Sequence, residues 1–139
     1  MLRQSSRILP IRAGRAGLHE ITSDVAQFVS DSGISEGLLS LFCRHTSASL
    51  LIHENAAPAA RRDTEAFFAR LAPEGAGYEH DDEGPDDMPA HLRTALTATQ
   101  LSIPVMQGRL ALGTWQGIFL FEHRRGAHQR EIALHLVGE

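Results

Sequence analysis

The side chains of this sequence best placed to do chemistry are its histidines. Eight occur in 139 residues, and several fall where an apolar pattern meets a polar one. In the series Leu39, Leu41, Cys43, His45, the two-residue period of a strand puts His45 on the same face as three buried-type side chains, at the rim of a core. The same arithmetic on Phe119, Phe121 and His123 puts His123 at the end of an apolar face, with Glu122 and Arg124 on the opposite one. Asp87 and His91 are four residues apart, so on a helix they lie on one side, a turn from each other. His80 precedes them in an acidic loop. If the two strand ends converge on the start of that helix, His45, His80, Asp87, His91 and His123 form one polar cluster beside the core. Mixed histidine and carboxylate ligands suit zinc or another divalent ion. They suit general acid/base work near neutral pH equally well.

The remaining histidines, His19, His53, His128 and His135, have no such company and read as structural or solvated. Five carboxylates between Asp81 and Asp87 lack the acid spacing, glycine and final glutamate of an EF-hand, so as a bare charge run they read as a solvated loop. Thr46, Ser47 and Ser49 can satisfy their own backbone or offer hydroxyls to an anion. What is missing is also informative. All 13 basic residues are Arg, which excludes a P-loop lysine, a Schiff-base lysine and a lysine general base. The single cysteine, Cys43, excludes an internal disulfide, a four-cysteine zinc site and a Cys-x-x-Cys redox pair.

These residues must be positioned by elements that the pattern also predicts. Ser5 to Ile11 reads as a strand with an arginine-decorated edge, and the chain around it, with Arg3, Arg7 and Arg12, lacks the apolar stretch of a secretory signal. Ser23 to Gly33 reads as a short helix capped by Ser23 and ended by Gly33. Leu38 to Ile52 reads as two strands, or one broken near Thr46 and Ser47. A helix over Ala57 to Leu71, with Asn55 as its cap, puts Ala60, Thr64, Phe67, Phe68 and Leu71 on one side. Pro73 to Pro89 is a long loop, functional or disordered. A helix follows from about Met88 to Thr97, with Asp86 or Asp87 as cap. Strands are expected over Leu101 to Met106, Leu110 to Gly113, Gly117 to Arg124 and Arg130 to Val137, the last two joined as a hairpin through Arg125 to His128. With no βα repeat, the expectation is one α+β domain over residues 1–139, mainly antiparallel sheets with two to three helices. A net charge of −4 argues against broad nucleic-acid binding, and no apolar run approaches the roughly 20 residues of a membrane helix. A cytoplasmic protein is expected.

The segments His45-Thr-Ser-Ala-Ser, His53-Glu-Asn-Ala, Gly84-Pro-Asp-Asp-Met-Pro-Ala-His91, Gly108-Arg-Leu-Ala-Leu-Gly-Thr-Trp-Gln-Gly117 and Glu122-His-Arg resemble the YjbQ family, also labelled secondary thiamine-phosphate synthase. The resemblance runs from about Gly37 to Glu139 and more weakly to the N-terminus. It implies a compact α+β domain that assembles as a homotrimer with a cleft near the subunit boundary. The family's characteristic polar residues map onto His45, Asn55, His80, Asp87, His91, Trp115, Gln116, Glu122 and His123; His53 departs from the family's usual residue. The label implies joining a hydroxymethylpyrimidine pyrophosphate to a thiazole phosphate with release of pyrophosphate. On that reading His45, Asp87, His91 and His123 are catalytic, and Asn55, Arg109, Trp115, Gln116 and Glu122 bind substrate. His80, Asp87, His91 and His123 would hold a divalent metal, zinc or magnesium, while Arg44, Arg93, Arg109 or Arg124 would meet phosphate oxygens. Two other readings stay open: a metal-dependent hydrolase of a small phosphorylated compound, and a non-catalytic trimeric module that binds a small anion.

Overall fold

The computed structural model describes residues 1–139. In chain order the elements are β1 (Arg3–Ala13), β2 (Gly17–Glu20), α1 (Thr22–Ser32), β3 (Gly37–Cys43), β4 (Ala48–Glu54), α2 (Pro58–Leu71), α3 (Asp87–Leu96), β5 (Gln100–Met106), β6 (Arg109–Leu110), β7 (Gln116–Glu122) and β8 (His128–Gly138). They form a five-stranded sheet of order β1-β8-β3-β5-β6 and a three-stranded sheet of order β2-β7-β4. Every pairing is antiparallel, and the α+β architecture with three helices agrees with the expectation.

The core is built by the inward faces of both sheets. Leu39, Leu41 and Cys43 of β3, Leu50 of β4, Ile118 and Leu120 of β7, and Ile132, Leu134 and Leu136 of β8 belong to one buried cluster, joined by Val25, Phe28 and Val29 of α1. Each fully buried leucine or isoleucine contributes about 1.5–3 kcal/mol over its exposed state. A smaller cluster, Leu18, Phe119 and Phe121, lies on the other face of β7 and packs against Leu51 and Phe68. β7 is therefore buried on both faces, which its unbroken run Ile-Phe-Leu-Phe requires.

That double burial overturns the expected hairpin. β7 pairs with β2 and β4, and β8 pairs with β1 and β3, so the turn Arg125 to His128 carries the chain from one sheet to the other. A strand apolar on both faces takes the centre of its own sheet; β8, buried on alternate residues only, covers one side of the core. Smaller corrections follow from local bonding. Ser23 does not cap α1, whose N-cap is Ile21, although Gly33 ends the helix with φ 70° as expected. Asn55 does not cap α2; the Glu54 carboxylate accepts from the Ala56 and Ala57 N–H groups instead. Phe67 and Leu71 are exposed, leaving Phe68 as the aromatic of α2 that meets the sheet. The strand expected over Leu110 to Gly113 shortens to the two residues of β6, and β2, too short to show a period, was not expected. From Ala72 to Asp86 the chain forms no helix or strand, as the glycines and prolines there require.

Candidate functional site

The start of α3 carries the cluster. Asp86 stands at the N-cap and Asp87 is the first helical residue, where the partial positive charge of the helix end favours a carboxylate. The Asp87 side chain is buried, 4% exposed, and its Oδ2 lies 3.1 Å from Nε2 of both His80 and His91. Glu83 completes a group whose four donor atoms, from His80, Glu83, Asp87 and His91, lie within 4.8 Å of one another. Arg124 holds the carboxylates in place: its Nε and Nη2 bond the two oxygens of Asp86, its Nη1 lies 3.2 Å from Asp87 Oδ1, and Nη2 also reaches the Glu83 carbonyl. Gly84, at φ 101°, makes the turn that brings this loop back onto Arg124.

The ring of His91 decides what the group can bind. Its Nδ1 lies 2.8 Å from the Thr46 carbonyl, which only accepts, so Nδ1 carries a proton. In the neutral ring Nε2 then presents a lone pair to the Asp87 carboxylate 3.1 Å away. Two acceptors at that distance repel unless a proton or a cation stands between them. A backbone carbonyl fixing the far nitrogen is how metal-ligating histidines are commonly oriented. Two ligand atoms each about 2.1 Å from a shared ion lie about 3.0–3.4 Å apart in tetrahedral or octahedral geometry, and 3.1 Å falls in that range. Burial raises the Asp87 pKa, but the positive charges of a protonated His91 and of Arg124 outweigh it and hold the carboxylate below its ordinary value. Asp86 is likewise held at about 2, where Arg124 and the Arg125 N–H overcome the opposing effect of burial.

His45 stands beside this group. It shares a cavity of about 540 Å³ with His91, Thr46, Thr97 and Thr99. The Glu131 N–H donates to its Nε2 at 2.8 Å, so that nitrogen is unavailable to a metal and Nδ1 bears the proton. Burial and the neighbouring Arg130 lower its pKa, which keeps the ring neutral near pH 7. Glu122 is buried in a two-bond pair with Arg130, both contacts 2.6 Å.

His123 lies on the other face of β7, against Phe121 with ring centroids 4.3 Å apart. It is 2% exposed and is not among the four residues whose donors converge. Its Nε2 bonds the Ser49 hydroxyl at 2.9 Å, Ser49 meets Thr97 at 2.6 Å, and its Nδ1 is buried without a partner. Burial first, then Arg93 and Arg130, push its pKa down to about 3.

Of the residues expected to bind substrate, Glu122 accepts from the Arg124 N–H at 3.0 Å, but Asn55, Arg109, Trp115 and Gln116 do not gather around this cluster. Asn55 bonds the carbonyls of Thr114 and Gln116, Trp115 is 64% exposed, and Gln116 bonds the Gly113 N–H. In the β4–β7 register Ala48 faces Glu122 while Glu54 faces Gln116, so these groups stand at opposite ends of the strand pair, roughly 20 Å apart at ~3.4 Å per residue. Arg109 lies elsewhere again, in a cavity beside α1. Arg93 is spent on the Phe68 and Ala72 carbonyls at the end of α2. Sequence reading passed over Glu83, Arg130 and the Thr46 carbonyl. Only Arg130 left a signal: it continues the buried alternation Ile132, Leu134, Leu136.

A profile of the family described as "UPF0047 protein YjbQ-like" matches residues 7–139. A UPF0047 protein of Synechocystis is 52% identical over 138 residues, covering 99% of this chain and 94% of that protein. The UPF0047 protein YjbQ of Escherichia coli O157:H7 is 43% identical, covering 96% and 97%. Among solved structures, a YbjQ-like protein of unknown function from Sulfolobus solfataricus superposes with TM-score 0.88 at 26% identity, over 99% of this chain and all of that one. A conserved hypothetical protein from Thermus thermophilus gives 0.82 at 33%, over 92% and 97%. No helix here is long and apolar enough to cross a membrane. With its profile matched from Arg7 to the last residue and its fold shared end to end, the chain belongs to the YjbQ/UPF0047 family.

Proposed function

We propose that His80, Asp87 and His91, with Glu83, hold a divalent cation, and that the protein is a metal-dependent enzyme acting on a small phosphorylated compound. The observation that carries this reading is the lone pair of His91 Nε2, fixed by Thr46 and directed at a buried carboxylate. Two imidazoles and carboxylates favour zinc over magnesium, which prefers oxygen ligands. A cation there supplies Lewis acidity toward a phosphoryl oxygen. Arg124 keeps Asp87 ionised and oriented, and His45, with a proton on Nδ1 and a cavity shared with His91, can donate to a ligand atom in that cavity. The test is metal analysis of untagged protein together with release of phosphate or pyrophosphate from a panel of small phosphorylated compounds. Turnover that metal stimulates and His91→Ala abolishes supports the proposal; metal-independent turnover, or none across the panel, counts against it.

The narrower reading, formation of thiamine phosphate by displacement of pyrophosphate, needs an aromatic platform for the pyrimidine beside the reacting group. Trp115 is such a platform, but it stands at the far end of β4–β7 from Glu122. That reading therefore requires Trp115 from a second subunit. A subunit contact has an apolar surface available to it: on the outer face of the larger sheet, Ile8, Ala133 and Phe42 stand in one row across three strands, with Ile8 45% and Phe42 51% exposed. Light scattering on the purified protein gives the subunit number. Incubation with the two precursors shows whether thiamine phosphate forms.

A further inference from the structure

A second cavity, of about 580 Å³, adjoins the first at His45 and is lined by Arg44, His45, Thr46, Ser47, Thr99 and Arg130 among others. Arg130 is the unusual wall. Its side chain is 8% exposed, with Nε and Nη2 bonded to the two Glu122 oxygens and Nη2 also to Ser47 Oγ at 3.0 Å. Its Nη1 makes no hydrogen bond within the chain, yet it is not sealed from solvent like the fully buried orphan atoms elsewhere. Two charged N–H donors of this guanidinium are thus left without a partner in the chain and free to meet a guest in the cavity that Arg130 lines.

The loop between β3 and β4 adds donors of the same kind. The Thr46 carbonyl is taken by His91, and the Ser47 carbonyl by the His123 N–H and by Arg130. The N–H groups of Thr46 and Ser47 meet no acceptor, and neither do the Thr46 and Thr99 hydroxyls. Ser47 Oγ accepts from Arg130 and keeps its proton free to donate. The carboxylates nearby are already engaged. Glu122 faces Arg130 and the Arg124 N–H, and Glu131 pairs with Arg44 at 3.1 Å. The cavity therefore offers donors and asks for a guest made of acceptors.

We propose that this cavity is an oxyanion subsite that binds a phosphate group, with Arg130 Nη1, Arg44, the Ser47 hydroxyl and the Thr46 and Ser47 amides as its donors. A planar guanidinium edge beside free main-chain N–H groups is a recurrent way of holding phosphate. The subsite shares His45, Thr46 and Thr99 with the cavity that reaches His91. It deepens the function proposed above and rests on it in one respect: a substrate anchored here by one phosphate would extend past His45 and present its reacting bond at the His80–Asp87–His91 cluster. The substrate class is then a compound with an anchoring phosphate apart from the bond that breaks.

Calorimetric titration with inorganic phosphate, on protein stripped of metal by a chelator and then dialysed, tests the subsite separately from the metal. Wild type should bind, and Asp87→Asn should bind equally well. Arg44→Gln should weaken binding about tenfold, the loss of a charge-assisted bond. The pair Glu122→Gln with Arg130→Gln removes both charges without leaving either one buried alone, and should weaken binding at least as much. If that pair does not fold, Ser47→Ala replaces it, and a weakening of a few-fold is expected. No binding by wild type, or binding that survives Arg44→Gln together with the Glu122/Arg130 pair or Ser47→Ala, overturns the subsite. Binding that rises in Asp87→Asn and is kept in Arg44→Gln also overturns it, because the phosphate then sits beside the cluster's carboxylate. Failure of the metal reading is seen elsewhere, as absence of metal from wild type, and leaves these titrations unchanged.

Discussion

Acidification should destabilise the fold through His123 before it reaches the carboxylates. The buried ring has its pKa pushed down to about 3 by burial and by Arg93 and Arg130, against 6.5 for the free side chain. A histidine whose folded pKa is depressed binds more protons unfolded, so its stabilising contribution is complete above pH 6.5 and is lost as pH falls toward 3. Between pH 7 and 5 the loss is about 2 kcal/mol, the slope approaching ~1.4 kcal/mol per pH unit below 6.5. Asp86, held at about 2 against 3.8, loses its contribution only below pH 4, outside this window. His45 shifts in the same direction as His123, so the comparison must be made against a variant. His123→Gln keeps a polar group for Ser49 and removes the titration. Urea melts at pH 7, 6 and 5 should show wild type losing about 2 kcal/mol more than His123→Gln over that range. Parallel losses in the two proteins would refute the buried, neutral His123 described here.

Other consequences are simpler to measure. Arg124→Gln removes the clamp on Asp86, Asp87 and Glu83; divalent-ion affinity should fall about 10–100-fold, as for other residues that orient metal ligands, with the circular dichroism spectrum retained. Cys43, 1% exposed and with its thiol pushed up to about 11 mainly by burial, should resist a disulfide reagent at pH 8 and react at once in denaturant. Leu50→Ala, at a position with no exposure between the two sheets, should cost about 2–5 kcal/mol in a urea melt.

The parts of the site that sequence reading found are those set by a period. Asp87 and His91 meet because residues four apart on a helix share a side, while His45 and His123 fall two residues and one residue past the ends of β3 and β7. Other parts depend on the chain folding back on itself. Thr46 matters through its carbonyl, which no side-chain pattern encodes, and Glu83 reaches the cluster from a loop shaped by Gly84 and Arg124. The separation of Trp115 from His91 follows from the β4–β7 register, which two strand predictions do not contain. The hairpin failed for a legible reason. The run Gly117 to Phe121 is continuously apolar where a half-exposed hairpin strand alternates, and that difference marks a strand covered on both faces.

In the proposed site a cation held by His80, Asp87 and His91 takes the place of the proton that would otherwise relieve His91 and Asp87. Zinc titration of chelator-treated wild type and Asp87→Asn, followed by calorimetry near pH 7, addresses this proposal most directly. One zinc per subunit is expected in wild type, with proton release as the imidazoles give up any bound proton, and at least tenfold weaker binding in Asp87→Asn. Equal zinc binding by the two proteins, or none by wild type, would contradict it.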